Sequence, residues 1–498
     1  MPLDCTLSAV PALTSFLGRA KPPRVEAVGA WGSGKTLLAV QAAHALGRPL
    51  LIVSMGRQEA ESIHDDLATF AGEDHTALFP AWEVLPTDTM NPADDIVAER
   101  MNALKRMAAA LEAGETMFVS APIRSIVQYV IDRKRLAQDV FTLETGAECD
   151  LDDLLERLIK LGYEREVMVE RSGEVSVRGG IVDIFPISSE LPIRIELFGD
   201  EIESIRQFEP ETQRSVTSLD KIELLPRSEK NMLARLAKEK GGLAPLSSYF
   251  PEGTLVAFDE PLAIEAEAER LDTQFAGNPY HLPWPEARAH LDNFPRLDLV
   301  QVGGTRAEGV ERVRVPMQSL SGWAGQSDEF WKQLKQWDLE GYRVRLLCVN
   351  TGERNRLLEL IAEQGYRPGQ DVFDLDVSLG RLRSGFAVPE DKLAVLSERE
   401  IFGRHYMRRT RRRFEAGAAI AEFTDLKAGD YIVHVVHGIG RYFGLRRFEG
   451  KAGDFMAIQY SGGDTVYVPV SHIDQVQKYV AHDGAMPKID KIGGASWA

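Results

Sequence analysis

At 498 residues the chain is too long for one hydrophobic core and is expected to hold about three to five domains. A net charge of −17 argues against a protein whose main business is coating nucleic acid, because phosphate binding needs a basic surface; 44% hydrophobic and 27% charged residues are ordinary for a soluble globular protein. No apolar run reaches bilayer-spanning length, MPLDCTLSAV has no basic segment leading into an apolar core, and Cys5, Cys149 and Cys348 form no CxxC pair, so a cytoplasmic protein without membrane contact, disulfide framework or metal site is expected.

In chain order, Glu26 to Ala45 (EAVGAWGSGKTLLAVQAAHA) gives an apolar entry, a glycine-rich turn and a helix-forming run. Gly29, Gly34, Lys35 and Thr36 complete the pattern G-x-x-x-x-G-K-[ST], with Gly32 inside it. Such a loop turns backbone N–H groups toward phosphates at a helix N-terminus; the lysine reaches the outer phosphates and the hydroxyl holds magnesium. The motif makes ATP with Mg the cofactor to test, and leaves open whether the site is a working one or a relic. An α/β pattern continues with a buried strand at Pro49 to Val53, an amphipathic helix at Gln58 to Phe70, a helix at Asp94 to Ala110 and a strand at Met117 to Ser120. Phe79 to Asp88 is an aromatic, proline-rich loop whose Trp82 is assigned to core packing rather than to a functional contact.

From Glu174 to Phe208 the period changes to two. Val175, Val177, Val182, Ile184, Ile193, Ile195 and Leu197 define one face, and Arg178, Asp183, Arg194 and Glu196 the other, with Phe198 beside a Gly199-Asp200 turn. An antiparallel sheet with a charged outer face is expected. Further on, GTLVAFDE ends a strand in Asp259 and Glu260, where a phosphate-loop fold places a magnesium-ordering aspartate and a water-activating glutamate; acidic turn residues at a strand end are the plainer alternative. No Q-x-x-G-R-x-x-R run supplies the arginine of a second motor domain, so hydrolysis by this chain alone is not expected.

Tyr280 to Glu286 reads as a loop and Leu297 to Val302 as a strand. A third α/β unit follows, with helices at Gln326 to Leu339 and Arg354 to Gln364 and strands at Tyr342 to Val349 and Leu393 to Ser397. In GRHYMRRTRRRF the arginines at 404, 408, 409, 411, 412 and 413 make the strongly basic run, a solvated linker or a phosphate contact with DNA. Asp425 to Tyr479 is short, β-rich and punctuated by glycine, which predicts a small barrel; its His434 and His437 lack a third partner for a metal.

The run RGGIVDIFP…RIELFGDEIESIR is similar to a domain shared by the excision-repair protein UvrB and the bacterial transcription-repair coupling factors, in which it docks UvrA. That resemblance nominates Arg178, Arg194 and Phe198 for UvrA contact, and Arg194→Glu is expected to abolish docking while leaving the domain folded. The pattern V-x-H-G-I-G-R-Y…Y-V-P-V resembles the Tudor-like RNA-polymerase-interacting domain of coupling factors and CarD-type regulators. There an edge strand pairs with the polymerase β subunit; Leu445 to Phe448 matches it, with Arg446, Arg447 and Phe448 as contacts. IDKIGGASWA resembles the segment leading into the family's translocase, so the chain is expected to be a fragment or short paralogue spanning about the first half of such a factor.

The implied architecture is α/β multidomain. Residues 1–122 would form a UvrB-like, RecA-type phosphate-loop domain, 123–212 an inserted antiparallel UvrA-docking domain, and 213–315 the completion of the first. Residues 316–403 would be a small α/β domain, 404–424 a basic linker, 425–480 a Tudor-like barrel and 481–498 the start of the translocase segment. The implied function is recruitment of UvrA to RNA polymerase stalled at lesions, with ATP-driven translocation in domains outside this chain. In the family a far C-terminal domain masks the docking face, so UvrA binding is expected to be constitutive here. Two alternatives stand beside it: a phosphate-loop ATPase or nucleotide-gated switch using Asp259 and Glu260, and a CarD-like regulator that binds polymerase alone.

Overall fold

The structure, a computed structural model, describes residues 6–19, 23–82, 93–210, 212–227, 229–236, 243–303, 309–320, 323, 327–369, 372–397, 400–401, 429, 431–434, 438–446, 455–462, 464–469 and 476–478. It divides into two compact units, Met1–Met407 and Arg408–Ala498. The basic run from 404 to 413, together with Arg447, Phe448, His437 and the segment 481–498, lies outside the described residues.

The first unit is built on a seven-stranded, all-parallel sheet in the order Glu311–Arg314, Arg24–Val28, Arg296–Val300, Leu255–Asp259, Leu50–Ser54, Phe118–Pro122, Thr76–Leu78. Strands such as Leu50–Ser54 and Leu255–Asp259 are buried along their whole length, because helices cover both faces of a parallel sheet. Two apolar clusters fill those faces: one around Val53, Trp82, Met101, Val119 and Phe258, the other around Val25, Leu38, Ile52, Ile63 and Leu299. The strands drawn from before 123 and after 213 share this one sheet. Trp82 is fully buried, and its indole N–H donates to Glu229 at 2.8 Å. Arg100 pairs with the same carboxylate at 2.7 Å and lies between the rings of Phe79 and Trp82.

Between these strands the chain leaves for a six-stranded sheet, ordered Ser215–Leu219, Glu201–Phe208, Ile193–Phe198, Ile181–Ile184, Glu174–Arg178, Glu164–Arg165. It is antiparallel except for its last pair. Strand Ser215–Leu219 extends the sheet past the boundary expected at 212. Val175, Val182, Ile184, Ile193 and Ile195 are buried against the helix Leu151–Lys160, as the alternation requires, with Val177 and Leu197 half-buried beside them. A ribbon of Phe141–Glu144 and Lys221–Leu224 carries the chain in and out.

The third α/β element of this unit is a five-stranded sheet, Gln318–Ser319, Phe386–Val388, Leu393–Ser397, Arg343–Cys348, Leu375–Leu379, flanked by helices Ser327–Glu340 and Thr351–Glu363. It is packed on the first sheet's helices: Leu382, Phe386, Val388 and Val395 belong to the same apolar cluster as Leu37 and Leu38.

In the second unit a five-stranded antiparallel sheet runs Thr465–Pro469, Phe455–Gln459, Gly438–Arg446, Tyr431–His434, Val476–Lys478 around a core of Ile432, Tyr442, Met456, Ile458, Tyr460 and Val468. Among the described residues its two outer strands do not pair with each other, so the ladder there is an open one.

Candidate functional sites

Two places concentrate charge and special backbone. The first is the turn after Arg24–Val28, from which the helix Gly32–Ala45 starts. Gly29 and Gly32 have φ of 91° and 52°, conformations that favour glycine. The Lys35 amine, almost wholly buried, donates to Asp259 Oδ1 at 2.6 Å and to Glu260 Oε1 at 2.6 Å. Glu260 is held in that pose with φ of 63°, rare for a residue with a Cβ, and its carboxylate also accepts from the Gln301 N–H at 3.0 Å.

A second cation joins the cluster. Arg383, from the turn between strands Leu375–Leu379 and Phe386–Val388, donates to Asp259 Oδ2 at 2.5 Å and to the Gly32 carbonyl at 2.7 Å. Its own N–H donates to Asp66 Oδ1 at 2.9 Å. Asp66 also accepts from the hydroxyls of Ser33 at 2.7 Å and Thr36 at 2.9 Å. Burial pushes the Asp66 carboxyl up to about 6, despite the opposing Arg383 cation and the Ser33 and Thr36 hydroxyls. Burial acts in the same direction on Asp259, but there Arg383 and Lys35 outweigh it and hold the carboxyl below its ordinary value.

A cleft of about 430 Å³ opens beside this cluster, between Trp31, Met55, Ala263, Ser319 and Ser384. The residues facing it do not fit a magnesium nucleotide as they stand. Lys35 is neutralised by two carboxylates, and the Thr36 hydroxyl is buried and turned to Asp66. The sequence pattern brings Gly29, Gly32, Gly34, Lys35, Thr36, Asp259 and Glu260 together. It does not reveal Arg383, which sits in no motif. Asp66 did leave a signal: with Ile63, Leu67 and Phe70 it occupies the buried stripe of helix Arg57–Ala71, where a carboxylate is out of place.

The second place is the outer face of the six-stranded sheet. Arg194 lies opposite Asp183 in the ladder and grips it with two hydrogen bonds, 2.7 and 2.8 Å. It also donates to Gln213 at 2.8 Å and lies 4.4 Å over the Phe208 ring. Those bonds to Asp183 push the guanidinium's pKa still higher. Arg194 is thus four-fifths covered, over an aspartate that is itself buried. The expectation that Arg194→Glu would spare the fold is therefore corrected: it would set a second carboxylate against Asp183. Arg178 is half-exposed, its guanidinium 4.0 Å from the same aspartate. Phe198 is 80% exposed, at the tip of a turn in which Gly199 has φ of 63°. Arg206, which sequence reading passed over, pairs with Glu196 on this face. Gly180 is required there, since a Cβ would fall 2.8 Å from the Leu197 carbonyl oxygen.

Of the polymerase-contact candidates, Arg446 is described and ends the strand Gly438–Arg446. Tyr431–His434 pairs only with that strand's first half, ending at Arg441; Leu445 and Arg446 pair with Met456 and Phe455 on their other side.

Family models match both regions: residues 141–229 match the UvrB interaction domain, and residues 426–480 the CarD-like/TRCF RID domain. The transcription-repair-coupling factor of Bacillus subtilis (strain 168) is 28% identical over 94% of this chain and 46% of its own length. This chain is similar to the transcription-repair-coupling factors. The one from Staphylococcus aureus (strain MRSA252) is 26% identical over 90% of the chain and 44% of its own length, so the chain spans about half the length of these curated relatives. A solved XPD helicase overlaps at a TM-score of 0.22 with 10% identity, covering 76% of this chain and 81% of that one, too distant to bear on the fold. Among the described residues no helix is long and apolar enough to cross a membrane.

Proposed function

We propose that this chain is an adaptor of transcription-coupled DNA repair, presenting one surface to UvrA and another to the RNA polymerase β subunit. The observation that carries the reading is the presence of two docking domains in one chain, a UvrB interaction domain and a CarD-like/TRCF RID domain. The first offers a charged face with an exposed aromatic, Phe198, and a half-exposed Arg178 near Asp183; arginine pairs bidentately with carboxylates and a flanking aromatic anchors a desolvated contact. Arg194 holds that face in shape through Asp183. The second offers the stretch Leu445 to Phe448, whose resemblance to the family's edge strand suggests β-augmentation, in a domain read as Tudor-like. The seven-stranded sheet with its phosphate loop is read as a RecA-type domain, and DNA contact, where it occurs, is assigned to Arg404 to Arg413.

Calorimetric titration of the purified chain with UvrA, and separately with a polymerase β-subunit fragment, tests this. Saturable binding to both is expected. Binding to polymerase without UvrA would replace the adaptor reading with that of a CarD-like regulator, and heat from neither would end it.

A further inference from the structure

We propose that the phosphate-loop motif works as a latch whose ligand is the chain's own Gly380–Phe386 segment, so that it clamps the third α/β element onto the first sheet and admits no nucleoside triphosphate while the segment is seated. This goes beyond the docking role and does not depend on it. Motif glycines ordinarily let backbone approach phosphate, yet here each has an internal reason. A Cβ on Gly29 would fall 2.7 Å from the Val315 carbonyl oxygen. On Gly32 it would meet the Ser384 hydroxyl at 2.4 Å and carbonyl at 3.1 Å, and on Gly34 the Met317 sulfur at 2.5 Å and the Phe386 ring at 3.0 Å.

The polar groups are committed in the same direction. The Ser33 N–H, at the start of the helix where a phosphate oxygen would be received, donates to the Ser384 carbonyl at 3.2 Å. In return the Ser384 N–H donates to the Ser33 hydroxyl at 3.1 Å. Further back, the Thr69 hydroxyl donates to the Arg381 carbonyl at 2.8 Å and accepts from the Arg381 N–H at 2.9 Å. Arg383 reaches across to the Gly32 carbonyl and shares Asp259 with Lys35. Charge agrees with geometry: Lys35 and Arg383 balance Asp259 and Glu260, and Asp66 adds a further carboxylate, which leaves no surplus positive field for a polyphosphate.

Two measurements on the full chain test the latch. Titration with Mg-ATP is expected to give no binding up to ~1 mM, and a Kd below about 100 μM would overturn the proposal. Hydrogen exchange is read in Arg383→Ala, where the apolar contacts of Leu382 and Phe386 remain to hold the fold. Amides of residues 380–386 should exchange at least ~10-fold faster than in the parent, while residues 174–208 stay unchanged. A segment held by its apolar packing alone would leave 380–386 as protected as before, and that result would sink the latch. Mg-ATP binding gained in the same variant would support the segment as the occluding group.

Discussion

Asp259 and Asp183 make an instructive pair. Each is a buried aspartate shared between two cations, Lys35 and Arg383 in the first case, Arg194 and Arg178 in the second. Around Asp259 both cations are turned inward, with side chains 3% and 20% exposed. Around Asp183 one is consumed at 18%, while the other stands half in water at 50%. The same local chemistry is closed off where two packed elements enclose it and reaches water where one face stays open. Availability, more than residue type, separates the two.

Reversing Arg194 breaks the comparison most severely. Arg194→Glu leaves Asp183 buried beside a like charge and removes the lid over Phe208, a change worth about 3–5 kcal/mol. Urea unfolding followed by near-ultraviolet dichroism should show the loss of the domain around 174–208. Full retention of stability would mean that Arg194 is as free as Arg178.

The clamp side has a pH signature. Asp66 has a folded pKa of about 6 against an ordinary 3.8, so the native state binds a proton that the unfolded chain has released. Its cost is absent below about pH 4, grows between pH 4 and 6, and is fully present above, by up to about 3 kcal/mol. Asp259 is lowered instead, so its stabilising contribution is complete above the ordinary carboxylate value and lost only as pH falls further, outside that window. Unfolding free energy of the first unit should therefore decline from pH 4 to 6 in the parent and decline less in Asp66→Asn. Equal slopes would remove Asp66 from the account.

On the open face, Phe198→Ala should leave unfolding unchanged, since the ring is 80% exposed. It should weaken UvrA binding by about 2 kcal/mol, roughly 30-fold. An unaltered Kd would show that the partner does not use the turn.

Much of this was legible in the chain. The two-residue period from Val175 to Leu197 placed the inner face of the sheet, because alternate side chains of a strand point to the same side and the apolar set shares one of them. The glycine-lysine spacing placed the turn before the helix Gly32–Ala45. What could not be read was which polar groups stay free. Arg194 falls on the polar face by alternation, but the turn holding Gln213, with φ of 59°, and the end of the strand at Phe208 fold over it, and Val169, Phe185 and Phe208 form a small apolar cluster of their own. Arg383 is distant from Gly32 in sequence and meets it only through packing of two sheets, which no local pattern encodes. The short strand Thr76–Leu78, inside a stretch without periodicity, was missed for want of length.

Arg178 offers the finest test of availability. Its guanidinium is 4.0 Å from Asp183, whose oxygens are already taken by Arg194, so little binds it to its own fold. Removing it should cost the domain almost nothing, as for other half-exposed pairs. A partner carboxylate meeting it would lose a rim contact of about 1 kcal/mol, roughly 5-fold in Kd, with most of the change in association rate and its salt dependence. Arg178→Ala should therefore weaken UvrA binding modestly at low salt and converge on the parent at high salt. If the deficit instead persisted at high salt, the guanidinium would be buried on docking, and Arg178 would belong with Phe198 at the centre of the interface rather than at its rim.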